Sequence, residues 1–365
     1  MQNSTYWFQY FLRSGLCARY IQKKLVLYVL PLLLTFHLQA QDPYFSQFYA
    51  SSVYLNPALA GVEKDVYFGI NYRTQWTSLG TPFTTGQFSF ITPVGKNTPT
   101  NLHRNGLGIS AYTDVAGESK QFKSNGVSVS FAHDIVLGAD FNQVISFGGQ
   151  AGLIQKRVDY NNLQWGSQYD PSVGFNPSLV SSASQFAEQL IIPTMSYGVV
   201  WYYNPRKNYT YNGFSSFIGF AASNLNRPNE SMLTSELNRL PILYKLHGGA
   251  EWKLSQNFSI SPNFLAMQQN NVRQFNIGSY LTYKTHAEKS TNTPFDFMLG
   301  GWYRVKDSFI FSTGVQAKSY SIGFSYDLNV STLRHYTYGK GAYEISIAYR
   351  IIKETQIRRF STPLM

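Results

Sequence analysis

The sequence predicts an all-β protein: a transmembrane antiparallel β-barrel of about 14 strands with an irregular N-terminal segment. Three features point there. Apolar and polar residues alternate with period two in segment after segment, most of them 9 to 12 residues long, close to the ~9 to 11 that a tilted strand needs to cross a bilayer. Aromatic residues make up 16% of the chain and charged residues only 13%, against about a quarter in ordinary soluble domains. Beyond residue 40, no apolar run approaches the ~18 residues of a helical span.

Residues 1–40 read as a secretory signal peptide. Arg13, Arg19, Lys23 and Lys24 precede the 14-residue apolar run Leu25–Leu38, and Gln39–Ala40 offers a small residue at the cut, so the mature chain is expected to start near Gln41. A retained helical anchor fits less well, because the run falls short of the ~20 residues of a span and Pro31 interrupts it. The only cysteine, Cys17, leaves with this segment, so disulfides, thiolate metal sites and cysteine nucleophiles are excluded from the mature chain. Removing the four bases lowers the formal charge from +11 to +7. That excess suits anionic headgroups of outer-membrane lipid or an acidic partner, and no nucleic-acid partner is expected.

Residues 41–64, QDPYFSQFYASSVYLNPALAGVEK, are too irregular for a strand: Pro43, Pro57 and Gly61 punctuate them, and Asn56–Pro57 reads as a turn. Tyr44, Phe45, Phe48, Tyr49 and Tyr54 are costly to leave in water. They are expected to pack inside the barrel mouth or onto a periplasmic partner, and a disordered leader is the bland alternative.

The barrel is expected over residues 65–351. Its first strand, DVYFGINYRTQW, sends Val66, Phe68, Ile70 and Tyr72 one way and Tyr67, Gly69, Asn71 and Arg73 the other. The same rhythm returns at 84–92, 106–115, 125–135, 143–157, 195–204, 215–223, 244–255, 258–268, 274–284, 295–305, 308–316, 320–328 and 342–351. Arg73, Lys245, Lys253, Arg304 and Arg350 share the polar parity with Asp114, Glu251, Asp296, Asp327 and Glu344, while the apolar parity carries almost no charge. In a soluble sandwich that charged face would meet water; in a barrel it lines the lumen, and the sheet must close because hydrocarbon tolerates no open backbone edge. Tyr72, Trp76, Trp201, Tyr203, Tyr303 and Tyr349 fall near strand ends, as interfacial girdles do. An even strand count with both ends in the periplasm puts the long connections 159–190, 224–241 and 329–341 outside. It leaves 93–104, 205–213 and 285–294 as unusually long periplasmic turns.

Three blocks in order, QDPYFSQF, YLNPALAG and NYRTQW, together with the closing GAYEISIAYRI, resemble the PorP/SprF family of outer-membrane proteins linked to type IX secretion and gliding motility in Bacteroidetes. The tail 352–365 departs from it, since many members stop near the last strand. The resemblance implies a barrel without catalytic residues or cofactor, located in the outer membrane. Its implied partners are periplasmic ring components of the secretion system and a large secreted adhesin or its C-terminal domain. Tyr44, Phe45, Gln47, Phe48, Tyr54, Asn56 and Pro57 are the candidate docking residues of the N-terminal segment. Trp165, Tyr169 and Phe175 are the aromatic anchors of the longest loop, which equally reads as a self-packed lid.

The residues themselves offer little to an enzyme. His103, His133, His247, His286 and His335 are scattered over different elements, with no GxSxG and no HExxH. His247 and Glu251 share the luminal parity, but two residues do not make a metal site. Gly148 and Gly149 sit within a strand, where they relieve crowding. The competing function is an outer-membrane transporter or channel for a hydrophobic or small polar solute.

Overall fold

In β1 (Val66–Gln75) the alternation becomes two physical faces: Tyr67, Gly69, Asn71 and Arg73 are buried, while Ile70 and Tyr72 are exposed. A computed structural model describes residues 44–63, 65–95, 103–117, 120–137, 142–160, 164–179, 186–203, 214–233, 236–285, 295–317 and 319–351. The expected signal peptide and the tail 352–365 lie outside them, as do the turn 205–213 and most of 93–104 and 285–294.

Thirteen further strands join β1 in one closed barrel. They are β2 (Phe83–Val94), β3 (His103–Ala116), β4 (Phe122–Leu137), β5 (Gln143–Val158), β8 (Gln189–Tyr203), β9 (Phe214–Ser223), β10 (Leu243–Lys253), β11 (Phe258–Gln269), β12 (Val272–Lys284), β13 (Asp296–Arg304), β14 (Ser308–Gln316), β15 (Tyr320–Asn329) and β16 (Lys340–Ile351). The two-residue strands β6 (Tyr169–Asp170) and β7 (Gly174–Phe175) form a separate ladder in the connection between β5 and β8. Every barrel neighbour is antiparallel and adjacent in the chain except the seam, where β1 closes on β16 from Val66↔Ile351 to Gln75↔Ala342. We call the end where β1 begins the base and the opposite end the rim.

The outward face is a continuous apolar belt. Val127, Val129 and Phe131 of β4 are each about half exposed, and Ile70, Met195, Leu299, Phe311, Ile322 and Ile347 repeat the pattern around the wall. That much exposed hydrocarbon exceeds what soluble monomers show and matches a lipid-facing surface. Aromatic pairs mark both ends. At the base are Phe68–Phe90 (5.0 Å), Tyr320–Tyr349 (4.8 Å), Phe258–Tyr283 (5.0 Å), Phe214–Trp252 (5.2 Å) and Trp201–Tyr203 (6.1 Å). At the rim are Trp76–Phe83 (5.1 Å) and Tyr303–Phe309 (4.8 Å).

Fourteen strands is the expected number, but several boundaries differ. β4 extends to Phe122–Leu137 from the expected 125–135, while β5 keeps its expected range to within a residue; each runs 16 residues, about 50 Å along the strand, and so stands well clear of an apolar band about 25 Å tall. β8 begins at Gln189 rather than Met195, because residues 189–194 keep pairing with that long β5 through Pro193↔Leu153. The connection expected over 269–273 shrinks to Asn270–Asn271, with Asn270 in the left-handed region at φ 50°. Pro262 of β11 has no N–H to give, and the β10–β11 ladder skips Ala250 opposite it and the next residue, Glu251, while keeping its register on both sides.

Candidate functional site: the occupied lumen and the rim

Residues 44–63 lie inside the barrel. Their local structure is a 3-10 turn (Phe48–Ser51) followed by two one-turn helices, Ser52–Leu55 and Leu59–Val62. The break between the helices is set by Asn56–Pro57: Asn56 is extended, and its Oδ1 accepts from the Ala58 N–H at 3.0 Å, an Asx turn. None of these pieces is long enough to be stable alone. Packing supplies what propensity does not.

The segment's apolar side chains meet the inner wall in two clusters. Phe48, Tyr49, Leu55, Ala58 and Leu59 pack with Val200, Tyr202, Phe217 and Leu265. Val53 and Ala60 pack with Tyr67, Ile91, Ala132 and Ala348. Full burial of each large apolar side chain contributes roughly 1.5–3 kcal/mol. The far side of the lumen is filled by the wall itself, with Tyr280, Met298, Trp302 and Ile310 in one cluster.

Glycines let the two backbones touch. A Cβ on Gly106 would sit 1.9 Å from the Ala60 carbonyl oxygen, and one on Gly148 would sit 2.3 Å from the Ala58 nitrogen. Gly148 is therefore small for the sake of the segment. Gly149, on the outward parity, has nothing within 4 Å, so the two neighbours expected to share a role do not.

Polar contacts fix the segment at three heights. At the rim, Glu344 of β16 accepts from the backbone N–H groups of Ser46 (2.7 Å) and Gln47 (2.9 Å), from Asn71 Nδ2 (2.9 Å) and from Arg73 Nη1 (3.2 Å). Ser46 Oγ directs its single proton to Asp327 (2.9 Å) and accepts from Arg73 Nη1 (2.5 Å) and Arg304 Nη2 (2.8 Å), which exhausts a hydroxyl's capacity. Arg73 and Arg304 also pair with Asp327 at 2.8 and 3.1 Å, and their guanidinium groups lie 5.2 and 4.8 Å from the Tyr44 ring centroid. Two bases and two acids, each at most 3% exposed, thus pair with one another, and the more exposed Asp307 also meets Arg304 at 3.0 Å. Gln47 completes this end, accepting from Ser346 Oγ at 2.8 Å.

Midway, Asn56 Nδ2 lies 3.2 Å from the carbonyl oxygens of Val199 and Phe220 and 3.1 Å from His247 Nε2. Nearer the rim end of β10, Lys245 Nζ donates to the Tyr54 carbonyl at 2.8 Å and sits 4.7 Å from the Tyr54 ring centroid. At the base, Ser146 Oγ donates to the Ala58 carbonyl at 2.7 Å, and Glu63 pairs with Arg350 at 3.5 Å.

All seven candidates of the N-terminal segment therefore gather in the lumen, Phe45, Gln47, Phe48, Asn56 and Pro57 buried and Tyr44 and Tyr54 half-buried. The loop candidates divide. Trp165 packs inward, stacked on Phe186 at 5.6 Å with Tyr160 6.0 Å away, whereas Tyr169 (65% exposed) and Phe175 (40%) pair across β6–β7 and face outward. Ser172 hydrogen bonds hold the nearby Asp170 carboxyl below its ordinary range. This loop is tied to residues 224–242 by Ala187 N–H to Met232 O (2.8 Å), the Phe186↔Leu233 bridge and the Lys156–Glu230 pair (2.5 Å). Ser46 was not singled out from sequence, and no local signal marks it: its importance comes from four wall residues more than 25 positions away.

The histidines whose side chains are described stay apart. His133 contacts Asn105 at 2.7 Å, His247 contacts Asn56, and His335 lies in the rim helix Arg334–Thr337.

A family model described as type IX secretion system membrane protein PorP/SprF matches residues 37–349. No curated protein matches the sequence. Among solved structures, the Ralstonia pickettii toluene transporter TbuX aligns at 11% identity and TM-score 0.47, over 85% of this chain and 95% of that one. The Pseudomonas putida toluene transporter TodX aligns at 8% and 0.44, over 86% and 95%. The beta domain of the Bordetella autotransporter BrkA aligns at 10% and 0.39, over 78% and 98%.

Proposed function

We propose, from the premise that this chain belongs to the PorP/SprF family of type IX secretion system membrane proteins, that it is a closed, non-enzymatic anchor for that machinery in the outer membrane. The supporting observation is the lumen: residues 44–63 pack into it beside the Tyr280–Trp302 cluster, with ion pairs at the rim among Arg73, Arg304, Asp327 and Glu344 and at the base between Glu63 and Arg350. A solute path would require that packing to come apart.

An even strand count puts both ends of the barrel chain at the base, which we assign to the periplasm. Periplasmic ring components then meet the base and its connections. The rim faces outward, where Tyr169 and Phe175, carried on the stapled loops, hold a secreted adhesin or its C-terminal domain. In this reading Tyr44, Phe45, Gln47, Phe48, Tyr54, Asn56 and Pro57 serve the anchor by closing it.

The test combines secretion and conductance. Deleting the gene should remove type IX cargo from the cell surface, and the purified protein should be silent in planar bilayers. Normal cargo display in the deletion strain, together with solute-dependent conductance by the intact protein, would establish a transporter instead.

A further inference from the structure

Toward the rim, the outer face of the β4–β5 hairpin changes chemistry one rung at a time. Val127 and Leu153, paired across the two strands and each about half exposed, form its last aliphatic rung. On the next rung, Asn125 Nδ2 donates to Gln155 Oε1 at 3.3 Å. On the one above, Lys123 stands directly opposite Arg157, both exposed, flanked by Val115 of β3 and Gln189 of β8. Each rung is about 7 Å along the strand. The amide and base rungs therefore belong to the part of the wall that β4 and β5 carry past the hydrocarbon.

Like charges directly opposite each other in a sheet repel, at a cost in stability unless a counter-charge sits between them. No acid of the described chain does so. Among the described residues neither Lys123 nor Arg157 forms an ion pair or a side-chain hydrogen bond, and Asp159 and Glu188, just beyond the ends of β5 and β8, pair with neither. Lys156 shows the contrast: it takes the luminal parity and meets Glu230. Two bases with Cβ atoms about 5 Å apart suit a phosphate that accepts from both. The amides below them can bond sugar hydroxyls, and the aliphatic rung can meet acyl chains. We propose that this outer track binds a phosphorylated glycolipid of the outer leaflet, its phosphate between Lys123 and Arg157, its sugar at Asn125 and Gln155, and its chains along Val127 and Leu153. The choice of leaflet rests on the outward-facing rim proposed above; the juxtaposition of the bases does not.

Native mass spectrometry of the full chain in neutral detergent, titrated with bis-phosphorylated lipid A, reads the site. Wild type should retain lipid A, and the double variant Lys123→Gln/Arg157→Gln should bind it about ten-fold or more weakly. Arg273→Gln removes an exposed outward base that faces Gln268 instead of another base, and should bind as wild type does. Unchanged binding in the double variant, or an equal loss in Arg273→Gln, would overturn the site. Displacement of lipid A by inorganic phosphate would overturn the lipid assignment, and equal retention of phosphatidylglycerol would overturn the glycolipid. Without lipid, the double variant should unfold no earlier than wild type, because it removes a repulsion. Earlier unfolding would mean that an acid of the protein itself, such as Glu118 outside the described residues, already serves the two bases, and would overturn the proposal.

Leu237→Cys, on a rim loop, reads the orientation separately through a membrane-impermeant maleimide. Lipid A binding by a protein whose Leu237→Cys labels only after permeabilisation would overturn the leaflet together with the outward rim. Labelling in intact cells without lipid A binding would overturn the lipid site alone.

Discussion

Gly106 and Gly149 are both glycines in mid-wall strands, and only geometry tells them apart. Adding a methyl to Gly106 drives it onto the Ala60 carbonyl, backbone against backbone, where no side-chain rotation relieves the clash. Gly106→Ala should destabilise the folded barrel by about 1–3 kcal/mol, and Gly149→Ala should stay within about 0.5 kcal/mol of wild type. Unfolding of the detergent-solubilised protein by denaturant would compare them. At this scale the sequence shows which parity a residue occupies. Arg73, Arg304, Asp327 and Glu344 all carry the luminal parity, but nothing in their spacing shows that they converge on Ser46. Their separations, up to 298 positions from Ser46, place the convergence in the closure of the barrel.

Strands are more legible than residues, because a period of two repeats within each of them. Val129 of β4 faces lipid near the middle of its strand, while its neighbour Ser130 faces the lumen and is fully buried. Val129→Arg should cost about 2–4 kcal/mol, the range for a base at the bilayer midplane, seen as reduced folding yield into vesicles. What alternation misses is where β8 starts: it continues beyond the expected Met195 to Gln189 by pairing with β5, whose own bounds the alternation gives to within a residue. The seam is a second element-scale feature. β1 and β16 are joined by their ladder and also by Ser46 and Gln47, which bond Glu344 of β16 while Ser46 bonds Arg73 of β1. Glu344→Ala leaves Arg73 with one fewer acid and two segment N–H groups without their acceptor. Loss of one partner of a buried pair costs about 3–5 kcal/mol, so hydrogen exchange should accelerate first at residues 46–53 and along the β1–β16 ladder.

For the whole molecule, the decisive quantity is whether the lumen conducts, and the pairing of charges in the rim cluster sets it. Arg73 and Arg304 pair with Asp327 and Glu344 around Ser46, whose hydroxyl has no capacity left, and Arg304 also meets Asp307. Ser46→Asp adds a fourth carboxylate to Asp327, Glu344 and Asp307 and removes the proton that Asp327 accepts. Like charges at this distance repel, and relief comes when the segment's rim end leaves the site. The apolar clusters lower down and the Asn56 and Ser146 contacts still hold the rest. Ser46→Asp should therefore flicker open in planar bilayers where wild type stays closed, while Ser46→Ala, which removes the hydroxyl without adding charge, should stay mostly closed. Raising the salt should shorten the open events if exposed repulsion drives them, and leave them unchanged if the repelled groups remain buried from ions. Equal conductance for wild type, Ser46→Ala and Ser46→Asp would show that residues 44–63 do not control the lumen, and the anchoring function would then have to be argued from the rim loops alone.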